Sequence, residues 1–255
     1  MTLDACAAIV ERGDPDRFLA TMAAPLQVRA VLFPLYAFNL EVARAPWLTQ
    51  EPLIAEMRLQ WWRDTLEDIG AGQKPRAHEV VAPLAEVIRA HRLPVGPFDR
   101  LIAARRWDIG KEPFADRAAL LDHLEATGAG LMWLSALALG ADPGQERLIR
   151  DVGLAGALAG WLMAAPVIEE RGRYPLPDGR PAAVAELARH GLSLLDGARA
   201  GRFGPAVPAL RAAWRAGDVL AQAAREPGRV AEGTLGTSEF RRRASLIWKA
   251  ARGGW

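Results

Sequence analysis

The chain has 255 residues, of which 51% are hydrophobic and 24% charged, and its net charge is only +2. That composition excludes a disordered chain, and the length is ample for a buried core. The near balance of charge argues against general nucleic-acid binding, which needs a strong basic excess, although the pI is about 9.0. Cys6 is the single cysteine, so neither an intramolecular disulfide nor a cysteine metal cluster is available.

Apolar residues recur at spacings of three and four along nearly the whole chain, and strand-like alternation is almost absent, which predicts an all-α fold. In chain order the predicted helices cover 4–11, 15–23, 26–44, 51–70, 76–91, 97–108, 116–139, 144–168, 181–200, 205–225 and 236–251. Pro and Gly punctuate the gaps, as in "GQKP", "LPVGP", "GADPG" and "RGRYPLPDG". No internal repeat or low-complexity linker divides the chain, so one domain over residues 1–255 is expected, ending in a basic segment, 238–255. The start, "MTLDACAAIVERGDPDRF", lacks a basic n-region and carries acids after a short apolar run, so no signal peptide is expected. Nor is any stretch of about 18 apolar residues free of charge, so no transmembrane helix is expected. With the lone cysteine, these features predict a cytoplasmic protein.

The predicted helix 144–168 is almost free of charge from Val152 to Ile168 and rich in Gly and Ala. Such a helix is buried all round, or gives one stripe to a cavity wall. The two readings are compatible.

Several segments follow one another in a telling order: "LFPLYAFNLEVA" (32–43), "MRLQWWRDTLEDI" (57–69), "LPVGPFDRLIAARRWDI" (93–109), "EATGAGLMWLSALALG" (125–140) and "RGRYPLP" (171–177). Each is weak alone. Their order and spacing resemble the squalene/phytoene synthase family over roughly residues 10 to 180. The resemblance implies the all-helical isoprenoid synthase fold around a central apolar cavity. It also implies two aspartate-rich helices that hold magnesium ions on a substrate diphosphate, because magnesium prefers one or two carboxylates together with phosphate oxygens.

Those aspartates are missing here. Registered on "LYAF", the first motif falls on Ala43, Arg44 and Trp47; registered on "GR", the second falls on Ala164 and Ile168. None of these side chains can hold magnesium, and Glu41 is the only acid between Tyr36 and Trp47. The segments "AFNLEVA", "MRLQWWRDTLEDI" and "MAAPVIEERGRYPLP" are similar to a branch of the same family that has also lost its aspartates and serves the assembly of complex I, the NADH:quinone oxidoreductase.

Tyr36, Asn39, Arg58, Gln60, Trp62 and Arg63 form a candidate pocket. The polar members belong either to a buried network or surface, or to a pocket for a phosphate or carboxylate headgroup with Arg58 and Arg63 as its anion clamp. Trp61, Trp62 and Trp133 read as core anchors or cavity lining. His78, His91, His123 and His190 lack partners at metal-ligand spacing. Residues 241–255 hold five cations and no acidic side chain. With Phe240, Leu246, Ile247 and Trp248 they form either a solvated tail or a helix that lies on an anionic membrane surface.

The expected function is therefore that of a family member without catalysis. It would bind an apolar lipid or isoprenoid, or a subunit of a membrane complex, and work at the inner face of the cytoplasmic membrane. It would need no cofactor. The alternative is an active head-to-head prenyltransferase using isoprenyl diphosphates and Mg²⁺ at an atypical metal site.

Overall fold

The computed structural model describes residues 3–255, and among them there are fourteen α-helices and no strand. The helices are α1 (Leu3–Gly13), α2 (Pro15–Met22), α3 (Leu26–Arg44), α4 (Pro52–Gly70), α5 (Val81–Ala90), α6 (Val95–Ala104) and α7 (Arg117–Leu124). They continue with α8 (Gly130–Ala138), α9 (Glu146–Glu170), α10 (Pro181–Ala198), α11 (Val207–Leu210), α12 (Ala216–Arg225), α13 (Gly228–Ala231) and α14 (Glu239–Ala251). This is an all-α fold.

α9 lies at the centre, packed against α8, α10, α12 and α13. Its glycines make that packing close. A Cβ on Gly153 would stand 2.7 Å from Ala129 Cα, and one on Gly156 would stand 2.9 Å from Ala213 Cβ. Residues Pro143–Glu170 are long and apolar enough to cross a membrane, but contact with four helices accounts for that apolarity within the fold.

α3 is the second organising helix. Leu32, Leu35, Phe38 and Val42 are fully buried, and α3 packs on α1, α5 and α8. Phe38 meets Trp62 of α4 edge-on at 5.3 Å and Phe98 of α6 at 5.4 Å. Such aromatic pairs add about 0.5–1.5 kcal/mol each beyond the area they bury. Trp62 and Trp133 are buried core residues.

Local chemistry explains where the predicted helices shift. The run 76–91 becomes helical only at Val81, because the Val80 N–H donates to His78 Nδ1 at 3.2 Å in a local turn. The run 116–139 is interrupted at Glu125–Ala129 by a π-helical turn. Within 205–225, Pro205 and Pro208 leave short 3₁₀ and α turns before α12 begins. α13 is only four residues long, too short for periodicity to reveal.

Candidate functional site

A cavity of about 280 Å³ lies between α3 and α9. α3 presents Tyr36, Asn39, Leu40 and Ala43 to it. These recur at spacings of three and four, so they form one stripe of the helix. α9 presents Gly153, Gly156, Ala157, Gly160 and Trp161, again one stripe. The π-helical turn contributes Thr127 and Gly128. That turn is pressed against α9, since a Cβ on Gly128 would stand 2.4 Å from Ala157 Cβ. Single π turns of this kind recur at functional sites.

Charge enters the cavity from two places. Asp14 and Arg17 come from the α1–α2 junction, and Arg105 from the 3₁₀ turn after α6. Asp14 caps α2 by accepting from the Arg17 N–H at 2.9 Å, and its other oxygen is 3.3 Å from the Arg17 guanidinium. Arg17 lies over the Tyr36 ring, 5.0 Å from its centre. Arg105 stands 3.6 Å from Asp108. Burial lowers the proton affinity of Arg105 and raises that of Asp108, and their mutual attraction opposes both shifts. Burial likewise raises the pKa of the Tyr36 phenol.

The two stripes run on beyond the cavity toward a common end. On α9 the next positions are Ala164 and Ile168; beyond Ala43 of α3 comes Trp47, in the 3₁₀ turn Ala45–Leu48. Trp47 joins the two sides. The guanidinium groups of Arg171 and Arg173 lie 5.1 and 5.3 Å from its ring centre. The loop carrying them is tied down: Arg173 donates to the Asp108 carbonyl at 3.1 Å, and Trp161 Nε1 donates to the Pro175 carbonyl at 2.9 Å.

Of the residues singled out in the sequence, Tyr36, Asn39 and Ala43 line the cavity; Arg58, Gln60, Trp62 and Arg63 do not. Arg58 is exposed, Gln60 donates to Asp64 at 2.7 Å, and Arg63 pairs with Asp99 at 2.6 Å. These α4 side chains therefore make no anion clamp at the cavity. Arg44 is exposed and pairs with Glu41 at 3.3 Å. Glu41 is buried on the other side of α3, where its second oxygen is 3.9 Å from His78, and burial raises its pKa. Asp68 pairs with Arg76 at 2.8 Å. The cavity cations are Arg17 and Arg105, which the sequence reading did not select. The signals were present in "DPDR" and "AARRWD", but nothing in either string says that they converge.

The site does not fit magnesium. Ala43, Trp47, Ala164 and Ile168 offer no oxygen ligand and Arg44 is a cation; Asp14 is already engaged by the helix cap and Arg17. Among the described residues no three His, Cys, Asp or Glu side chains are grouped to hold a metal ion.

This helical assembly around a cavity with two facing stripes has a known relation. A sequence model of squalene/phytoene synthase matches residues 10–253, and the chain belongs to that family. A dehydrosqualene synthase crystal structure superposes with a TM-score of 0.80 at 16% identity, covering 98% of this chain and 95% of that one. The squalene synthase HpnC from Alicyclobacillus acidocaldarius gives a TM-score of 0.61 at 19% identity, covering 98% and 94%. At such identities these structures speak for the fold alone.

In sequence the chain is similar to NADH dehydrogenase (ubiquinone) complex I, assembly factor 6. It is 28% identical to the Bos taurus protein and 26% to the Homo sapiens protein, each over 174 residues. These matches cover 68% of this chain and 52% of each relative, so the chain spans about half the length of the curated relatives it matches.

Proposed function

We propose that this chain is a non-catalytic member of the squalene/phytoene synthase family and acts as an assembly-type factor for a membrane respiratory complex. One observation carries the first half. The positions to which the family resemblance assigns metal-binding carboxylates hold Ala43, Arg44, Trp47, Ala164 and Ile168, and Trp47 is covered by the guanidinium groups of Arg171 and Arg173. The cavity volume supports the same reading. At about 280 Å³ it is at the lower edge of the ~300–1,000 Å³ typical of sites for one small molecule. A head-to-head condensation must hold two prenyl chains at once. The second half draws on the similarity to complex I assembly factor 6.

A membrane-associated role also needs a means of recruitment, and α14 supplies one. Its docked side carries Leu246, packed with Ala20 and Trp214, and Arg242, which pairs with Asp16 at 3.1 Å. Phe240, Ala244, Ile247, Trp248 and Ala251 share the opposite face and are exposed. Arg241 and Arg252 flank that face on one side and Arg243 on the other, a pattern suited to an anionic bilayer surface.

The test is incubation with Mg²⁺ and farnesyl diphosphate while melting temperature and diphosphate release are followed. A ligand bound only by the native state must raise the melting temperature. The non-catalytic reading expects neither a magnesium-dependent rise nor release. A rise of several degrees with turnover would establish the alternative, a prenyltransferase with an atypical metal site.

A further inference from the structure

α4 carries large apolar side chains on both of its faces. Leu59, Trp62, Leu66 and Ile69 are buried, as the inner stripe of a surface helix should be. On the other side Leu53 is 73% exposed and Met57 63%, with Ile54 and, in the adjoining 3₁₀ turn, Leu48 also in solvent. Together with Phe240, Ile247 and Trp248 of α14, these are most of the large apolar side chains exposed among the described residues. Apolar side chains grouped on one helix face and rimmed by charge mark a contact surface.

The two faces differ in charge. Outward along α4 run Leu53, Met57, Gln60, Asp64 and Glu67, at spacings of four and three. The ion pairs of α4 are Glu56 with Arg106, Arg63 with Asp99 and Asp68 with Arg76. Glu51 at its start, Asp64 and Glu67 therefore keep their charge uncompensated, against Arg58 alone. Outward along α14 run Phe240, Ala244, Ile247 and Ala251, at the same spacings, with Arg241, Arg243 and Arg252 around them. One face is apolar and acidic, the other apolar and basic.

Their registers match. Laid antiparallel with Met57 against Ile247, the stripes set Leu53 at Ala251, Gln60 at Ala244 and Asp64 at Phe240. Glu51 then falls at the Arg252 end and Asp64 at the Arg241 end. Glu51 and Asp64 are 13 positions apart and Arg241 and Arg252 are 11, about 20 Å and about 17 Å along a helix. Other occupants fit the α4 face less well. Its acids repel an anionic bilayer, and a second α4 face would set like charges together. Both faces are exposed, so neither covers the other within one chain.

We propose that, away from a bilayer, the outward face of α14 docks antiparallel on the outward face of α4 of a second copy. The contact joins unlike faces, so it closes a ring or continues into a chain. A single helix pair buries less than the roughly 1,200 Å² of a stable complex, so the association is weak and reversible. The inference goes beyond the bilayer reading of α14 and leaves it in place, because lipid and a second copy would compete for one face.

Sedimentation velocity of the full-length chain tests this. At low salt the average mass is expected to rise above the 27.6 kDa of one chain as concentration increases to a few hundred micromolar, and to fall back in about 1 M salt, where charges are screened beyond about 3 Å. Two double variants separate the faces: Leu53→Ser with Met57→Ser on α4, and Phe240→Ser with Trp248→Ser on α14. All four side chains are exposed, so both variants should melt with the parent. Each variant alone is expected to stay monomeric. Their equimolar mixture is expected to associate again, because one supplies an intact α14 and the other an intact α4. Should a double variant fail to fold, Asp64→Arg is expected to weaken association of the otherwise unchanged chain about threefold or more. A parent that stays monomeric at low salt overturns the inference, and if it still sediments with phosphatidylglycerol vesicles the bilayer reading stands alone. A mixture that stays monomeric, a double variant that associates by itself, or an Asp64→Arg chain that associates like the parent also overturns it.

Discussion

The Arg173 guanidinium lies 5.3 Å from the centre of the Trp47 ring while it donates to the backbone carbonyl of Asp108. One side chain thus ties the end of α3, the turn after α6 and the loop after α9 together. A cation over an indole contributes about 0.5–2 kcal/mol, more as it is desolvated. Trp47→Ala is expected to lower stability by about 2 kcal/mol in urea unfolding. Arg173→Ala is expected to cost more than Arg171→Ala, since Arg173 also donates to the backbone carbonyls of Asp108 and Ile109.

Restoring the missing acids is not expected to restore catalysis. In a variant with Ala43, Arg44, Trp47, Ala164 and Ile168 all changed to Asp, the carboxylate at 47 would face Arg171 and Arg173 and pair with them. The carboxylates at 43, 164 and 168 would stand on the two facing stripes and raise each other's pKa, that at 44 would lie in solvent beside Glu41, and the supporting groups a metal site needs would be missing. The measurement is diphosphate release from farnesyl diphosphate with Mg²⁺. Turnover would show that the rest of a catalytic site had been kept.

Two glycines of the same cavity should respond in opposite directions. Gly128→Ala places its Cβ 2.4 Å from Ala157 Cβ, between two backbones that cannot easily part, and is expected to cost about 1–3 kcal/mol. Gly160→Ala meets no atom within 4 Å in the middle of α9. It is expected to stabilise by about 0.5–1 kcal/mol through helix propensity and loss of unfolded-chain entropy. Melting curves of the two variants against the parent check both signs.

His123 predicts a dependence on pH. Burial, followed by the charge of Arg105, holds its folded pKa down at about 3. The unfolded chain, with an ordinary histidine near 6.5, binds the proton first, so stability contributed by neutral His123 is complete above about pH 6.5 and falls as pH drops toward 3. Glu41 and Asp108 act in the opposite sense, because burial raises their folded pKa and their protonation on acidification favours the native state. Comparison with His123→Gln separates the two. Between pH 7.5 and pH 5 the parent is expected to lose about 2 kcal/mol relative to the variant in urea unfolding. Parallel pH profiles would mean that His123 binds its proton equally well in the folded and unfolded states.

The exposed face of α14 is expected to bind phosphatidylglycerol vesicles at low salt and to release them at high salt, since each surface cation contributes about 1 kcal/mol and is screened by salt. Phe240→Ser with Trp248→Ser is expected to abolish sedimentation without unfolding, because both side chains are exposed. Truncation after Thr237 should do the same at some cost in stability, since Leu246 and Arg242 leave their contacts with Trp214 and Asp16. Equal sedimentation of the truncated chain would place the membrane contact elsewhere.

By itself the sequence determined the helical class, most helix positions and the family. These depend on local periodicity, Pro and Gly punctuation and residue identity in register, all of which can be read along one dimension. Ala43, Trp47, Ala164 and Ile168 were identified as metal-incompetent by their side chains alone. The charged residues of the cavity could not be found that way. Arg58 and Arg63 sit in the motif segment, yet α4 turns Arg58 to solvent and Arg63 to Asp99. Arg17 and Arg105 are 88 positions apart by their numbers and lie in unremarkable strings; they line one cavity only because the fold brings α2 and the turn after α6 to the same place. The same holds for Trp47 with Arg173, and for Leu246 with Trp214. Such pairings are decided by which faces of the helices are buried together. Burial then determines which charges keep water as a partner and which must find one inside.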